Sequence, residues 1–292
     1  MNLGGQLLCW EAWPVPRANP DPVLLESRVL SELLAAEERY LPSPSYFQCV
    51  QKEVRPPMRR VLANWMLEVC EEQNCEEDVF PLAMNCLDRF LSLLSVEKRQ
   101  LQLLGSTCLL LASKMKETNP ITMEKLCLYS DYSFTEPELK AMELLVLNKL
   151  KWDIAAVTPR DFLPHFLEPL CIAGAKKHLV RKHTETFIAL CTNDCNFITF
   201  PPSMIAAASV AASVAGLRIG NLEDPTFHLV ITEHLASAIG CDPDVLRACQ
   251  EQLENSLQST IQQAQRSQDP LVKTVEDVER ASTPTDVLDI DL

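Results

Sequence analysis

An all-α fold of two stacked five-helix bundles is what this sequence predicts, and three observations predict it. Glycine is scarce: 7 occur in 292 residues, where average usage near 7% would give about 20. Tight hairpins and phosphate-cradling loops therefore have few places to form. Apolar residues recur at helical rather than alternating spacing, between prolines and capping residues that cut the chain into helix-length pieces. Two segments, residues 103–113 and 203–216, are apolar on nearly every side, and such helices belong at the centre of a bundle. Each follows a short landmark, Leu87-Asp88-Arg89-Phe90-Leu91 and Leu190-Cys191-Thr192-Asn193-Asp194, at a period of roughly one hundred residues, as two tandem domains would have.

The elements follow in order. Residues 1–20 read as a flexible arm, and residues 21–55 as an N-terminal helix and its connection, with Val23, Leu24, Val29, Leu30, Leu33 and Leu34 as one apolar stripe. The first unit spans residues 56–153. In it Met58, Val61, Leu62 and Trp65 fall at i, i+3, i+4 and i+7 of one helix, and Leu82, Cys86, Leu87, Phe90, Leu91 and Leu94 stripe the next. Thr135-Glu136-Pro137-Glu138 is a capping box: a hydroxyl, an early proline and a carboxylate satisfy the orphan amides of a helix start. The second unit spans residues 154–262. Thr158-Pro159-Arg160-Asp161 repeats the box, and Asp242-Pro243 places proline behind an Asp cap. Pro164 breaks the local rule about five residues into the helix that Thr158 starts, so a kink or an early stop is expected there. Residues 263–292 are polar, contain Pro270 and Pro284 and lack a stripe, as a disordered tail would.

Charge and composition exclude several function classes. Lys and Arg total 26 against 40 Asp and Glu, a net charge of −14, which repels phosphate backbones and anionic membrane surfaces. Neither nucleic acid nor a membrane is expected as a partner. No apolar run reaches the ~18 residues that span a bilayer, and residues 1–19 lack a signal peptide's pattern, so an intracellular chain is expected. Twelve cysteines are present, yet no C-x-x-C occurs. Cys70, Cys86, Cys108, Cys127, Cys191 and Cys249 sit in apolar helical segments, where a reduced thiol behaves as a small hydrophobe. The five histidines make no metal-binding pair. No catalytic constellation, metal or cofactor is expected.

Lys114 ends an otherwise apolar helix, and Glu143 sits among apolar neighbours between Met142 and Leu147. Charges in such places cost several kcal/mol unless paired. Two readings stand: a mutual salt bridge, with Lys114 favoured by the helix dipole, or contacts held for a partner. Met58, Val61, Leu62 and Trp65 likewise read either as a core stripe or as part of a binding surface.

Several stretches resemble the cyclin family. Met58-Arg59-Arg60-Val61-Leu62-Ala63-Asn64-Trp65-Met66-Leu67-Glu68 is similar to the opening helix of a cyclin box, and Leu87-Asp88-Arg89-Phe90-Leu91 and Leu111-Ala112-Ser113-Lys114 match its next landmarks. Leu147-Asn148-Lys149-Leu150-Lys151-Trp152 closes the unit. Leu7-Leu8-Cys9-Trp10-Glu11, Glu71-Glu72-Gln73-Asn74-Cys75-Glu76-Glu77 and Thr283-Pro284-Thr285-Asp286-Val287 resemble D-type cyclins in particular. The resemblance implies tandem cyclin boxes and a non-catalytic subunit that activates a G1-class cyclin-dependent kinase toward retinoblastoma-family proteins at the G1/S transition.

It also implies roles for single residues. Lys114 and Glu143 would hydrogen bond to the kinase at the base of its mobile helix. Met58, Val61, Leu62 and Trp65 would form a groove for Arg-x-Leu peptides of substrates and Cip/Kip-type inhibitors. Leu7, Cys9 and Glu11 form L-x-C-x-E, which resembles the peptide that adds in extended form to a retinoblastoma-family pocket domain. Thr283, before Pro284, would be phosphorylated, adding charge that marks the chain for nuclear export and a ubiquitin ligase. Nucleus and cytoplasm are the expected locations. The charge runs at residues 71–77 and 176–182 read as solvated faces. Two rivals fare worse. A promoter-bridging cyclin-box factor needs a basic face, and a helical-bundle enzyme needs inward Glu-x-x-His pairs.

Overall fold

The computed structural model describes residues 21–170, 172, 174–217 and 227–268. A short 3-10 turn, Pro22–Leu25, precedes α1 (Ser27–Glu37) and α2 (Tyr46–Cys49). The first bundle comprises α3 (Pro56–Glu72), α4 (Val79–Leu93), α5 (Leu101–Lys116), α6 (Met123–Tyr129) and α7 (Glu136–Lys149). The second comprises α8 (Pro159–Leu167), α9 (Gly174–Asn193), α10 (Pro202–Gly216), α11 (Phe227–Ile239) and α12 (Pro243–Gln268). No strand occurs among the described residues.

The two all-round apolar segments are the central helices. Packed by α3, α4 and α7, α5 is buried from Leu104 through Ser113. Its counterpart α10 is packed by α8, α9, α11 and α12 and buried from Ala206 through Val214. Small side chains let the neighbours approach closely, and dispersion contacts grow with that closeness. Gly105 shows the limit: a Cβ there would lie 2.8 Å from Leu62 Cδ1 on α3. Gly105→Ala trades about 1 kcal/mol of helix propensity against overpacking. Gly105→Val has less propensity to gain and a deeper clash, so we expect about 3 kcal/mol lost. A lower urea midpoint at unchanged slope checks this.

The capping residues mark helix starts as expected. Thr135 N–H donates to Glu138 Oε2 at 2.8 Å, Thr158 N–H to Asp161 Oδ2 at 2.6 Å, and Asp244 N–H to Asp242 Oδ1 at 2.9 Å. The Thr135 N–H and hydroxyl together hold the Glu138 carboxyl below the usual range.

Two expectations are corrected and one is made specific. Val23 and Leu24 do not continue the packed stripe, since they lie in the separate turn and are exposed, whereas Leu30, Leu33 and Leu34 of α1 pack on the core. The early stop expected near Pro164 comes three residues past the proline. Pro164 sits inside α8, which runs to Leu167, with Glu168 N–H bonding back to the Pro164 carbonyl at 3.0 Å. One lost amide bond is outweighed there by the burial of Phe162, Leu163, Phe166 and Leu167. Finally, α12 extends to Gln268, so helix continues past residue 262 into the polar stretch read as tail.

Buried polar contacts join the bundles. Arg59 on α3, 2% exposed, makes a two-pronged pair with Asp88 on α4: Nε to Oδ1 and Nη2 to Oδ2, both at 2.7 Å. Tyr46 hydroxyl donates to the same Oδ1 at 2.9 Å. Across the junction, Arg59 Nη1 reaches the Asn193 carbonyl at 3.0 Å and Nη2 the Thr192 carbonyl at 3.1 Å. Those carbonyls belong to the last turn of α9, which lacks intrahelical partners and carries the negative end of the helix dipole. Arg59 thus ties the two repeated landmarks to each other. A second tie runs from α1 to α10. Ser203 donates its N–H and hydroxyl to the Glu37 carboxylate at 2.8 and 2.7 Å, while burial pushes that carboxyl above its usual range.

Candidate functional site

The C-terminal end of α5 meets α7 at the charges the sequence singled out. Lys114 Nζ lies 2.5 Å from Glu143 Oε1, with side chains 43% and 12% exposed. Lys114 and Lys116 occupy the last turn of α5, where the dipole favours cations. Glu143 lies between buried Met142 and Val146 on α7, and the Lys114 ammonium compensates its charge. The mutual salt bridge is therefore formed. It does not exhaust the pair, because an ammonium carries three donors and a carboxylate accepts at two oxygens. Next to these residues in sequence, Met115, Leu144 and Leu145 are 52%, 49% and 37% exposed. Exposed large apolar side chains adjacent in sequence to a charge pair suit a protein partner better than a small molecule.

On α3, Met58, Leu62 and Trp65 are buried and Val61 is half-buried. Leu62 packs against Gly105 of α5, and Val61 is the most exposed member of the stripe. Leu7, Cys9, Glu11 and Thr283 lie outside the described residues.

The structure also gives roles to residues that periodicity passed over. The acidic run at residues 71–77 is only partly a solvated face. Arg160 of α8 pairs with Glu77, with Asp78 at 3.1 Å and with Glu185 of α9 at 3.6 Å. Arg160, Glu77 and Glu185 border a cleft of about 640 Å³ between the bundles, whose apolar wall includes Leu67, Phe80 and Ile188. No sequence signal joins Glu77 to Arg160, which are separated by 83 residues. Of the opposite run, residues 176–182, Lys177 pairs with Glu168 at 2.9 Å. Among the described residues no three His, Cys, Asp or Glu side chains group as a metal site requires, and no helix is long and apolar enough to cross a membrane.

Comparison with known proteins accounts for this architecture. The cyclin N-terminal domain family matches residues 28–155 and the cyclin C-terminal domain family residues 157–279. The G1/S-specific cyclin-D1 of Danio rerio is 57% identical over 288 residues, covering 98% of this chain and 99% of the relative. That of Homo sapiens is 55% identical over 294 residues, with the same coverage. A viral cyclin from herpesvirus saimiri superposes with a TM-score of 0.68 at 27% identity, covering 79% of this chain and 97% of the viral one. The chain belongs to the cyclin family as a D-type cyclin, a non-catalytic regulatory subunit of a cyclin-dependent kinase in G1/S control.

Proposed function

We propose that this cyclin binds a G1-class cyclin-dependent kinase through the Lys114–Glu143 end of its first bundle and directs it to phosphorylate retinoblastoma-family proteins, promoting the G1/S transition. The observation that carries the reading is the ion pair flanked by exposed Met115, Leu144 and Leu145. The mechanism is a population shift. A kinase whose mobile helix is rotated outward lacks its Lys–Glu pair, and a partner that contacts the inward position better shifts the balance by its differential affinity. Moving 1:99 to 99:1 takes about 5.5 kcal/mol. A rigid helical surface loses little entropy on docking, which leaves more of the contact energy for that shift.

Met58, Val61, Leu62 and Trp65 serve in this reading as the floor and edge of a groove for Arg-x-Leu peptides, from substrates and from Cip/Kip-type inhibitors. Leu7, Cys9 and Glu11 capture the pocket domain of retinoblastoma-family proteins. Phosphorylated Thr283 presents the chain for export from the nucleus and to a ubiquitin ligase, so the protein divides between nucleus and cytoplasm.

Co-purification with G1 kinases, followed by phosphorylation of a retinoblastoma fragment, tests the whole reading. A complex with raised kinase turnover is expected, and the absence of both overturns it. The arm has its own test. Cys9→Ala with Glu11→Ala should weaken capture of the retinoblastoma protein by roughly tenfold or more, the effect of losing one good anchor, while kinase binding stays unchanged. An undiminished pull-down would contradict the role of the arm.

A further inference from the structure

The connection after α3 brings two thiols together by backbone geometry. Asn74 has a positive φ of 50°, its N–H donates to the Glu71 carbonyl at 3.0 Å, and Cys75 N–H donates to the Cys70 carbonyl at 2.9 Å. These two bonds make a Schellman cap, in which the second residue beyond the helix cap packs its side chain over the residue that starts the last turn. Here those positions are Cys75 and Cys70. The Cys70 thiol stands where it can donate to a Cys75 thiolate, and both side chains line the cleft between the bundles. Cys70 is buried and Cys75 half-buried.

Cys75 differs from the other described cysteines whose thiols are shifted, Cys70 included, all of which are pushed up. Burial pushes Cys86 and Cys249 up to about 12, and Cys108 and Cys191 rise for the same cause. Cys75 moves the other way. The Cys70 thiol donates to it and, with further help from Lys125, outweighs burial and the Glu117 carboxylate. The thiolate is the nucleophile, and Cys75 has a neighbour able to resolve whatever it forms.

We propose that Cys70 and Cys75 form a redox pair, which a hydroperoxide converts into an intramolecular disulfide at the wall of the inter-bundle cleft. The Cys75 thiolate attacks one peroxide oxygen and the O–O bond breaks. This gives a sulfenic acid and a hydroxide that takes up a proton as water. The Cys70 sulfur then attacks Cys75 sulfur, the S–O bond breaks, and the departing hydroxide collects the Cys70 proton as a second water. Two thiols lose two electrons and the peroxide gains them. A dithiol reductant reverses the bond by exchange. The disulfide lies in the connection that delivers Glu77 and Asp78 to Arg160, so the thiol state and the junction between bundles share one short segment.

The test uses the full-length chain with a limiting dose of hydrogen peroxide, alkylation of the remaining thiols, and cleavage after Glu71 and Glu72. Expected is a disulfide-linked pair of peptides carrying Cys70 and Cys75, formed several-fold faster than oxidation of the exposed Cys49. Cys70→Ser should abolish the link and leave Cys75 as a sulfenic acid that a dimedone-type probe traps. Cys75→Ser should leave Cys70 unoxidised. Circular dichroism on both variants separates loss of chemistry from loss of fold. Free, alkylated Cys70 and Cys75 after oxidation overturn the proposal, as does a link from either residue to Cys86.

Discussion

Lys114→Glu is expected to leave the chain folded and to abolish kinase activation. The fold survives at a cost: Lys114 is 43% exposed, so the new carboxylate can turn to solvent, while Glu143, 12% exposed, loses its cation, which costs about 1–3 kcal/mol. In a chain of this size that is a loss of roughly 2–12 °C in melting temperature. The interface has no such tolerance. Removing one partner of a hydrogen-bonded charge pair that binding desolvates costs about 2–5 kcal/mol, or roughly thirtyfold to several thousandfold in affinity. The charge-swapped double variant, Lys114→Glu with Glu143→Lys, separates the two roles. It restores an ion pair within the chain and should recover the lost melting temperature. It presents reversed charges to the kinase and should not recover activation. Kinase turnover equal to wild type in the single variant removes these residues from the interface.

Why the ion pair was legible and its surroundings were not follows from what sequence carries. A charge among apolar neighbours announces that it needs a partner, so Lys114 and Glu143 stood out and their mutual contact was one of two open readings. Local chemistry was legible in the same way. Thr135, Thr158 and Asp242 each place a helix start within three or four residues of chain, and the starts of α7, α8 and α12 fall where they mark them. Burial of a stripe on α3 was legible, but whether its edge stays open depends on which helix covers it. The errors came where tertiary packing decides. Val23 and Leu24 keep the spacing of a stripe but have nothing to pack against. The early stop near Pro164 was legible, but how far the apolar face carries α8 past it, to Leu167, was not. Residues such as Arg59 were visible only as letters of a motif, since their partners stand 29 and 134 positions away.

Arg59 carries the largest stability effect we expect. Arg59→Ala strips the partner from Asp88, 6% exposed, and leaves the Thr192 and Asn193 carbonyls without the donor that reaches them. Breaking a buried pair from one side costs about 3–5 kcal/mol, which corresponds to roughly 6–20 °C in melting temperature here. Arg59→Lys keeps the charge but not the planar fork, so it cannot grip both carboxylate oxygens and both carbonyls, and an intermediate loss is expected. Arg59→Met with Asp88→Leu removes both charges together, which elsewhere is neutral or stabilising. In this chain the rescue should be incomplete. The Tyr46 hydroxyl loses its acceptor and the last turn of α9 its donor, each costing about 1–3 kcal/mol when buried and unpaired. The ordering expected by calorimetry is therefore wild type, then Arg59→Lys and the apolar double variant, then Arg59→Ala. An Arg59→Ala chain that melts with wild type would show that the bundles hold together through apolar contact alone. That outcome would make Arg59 a bystander at the junction rather than its tie.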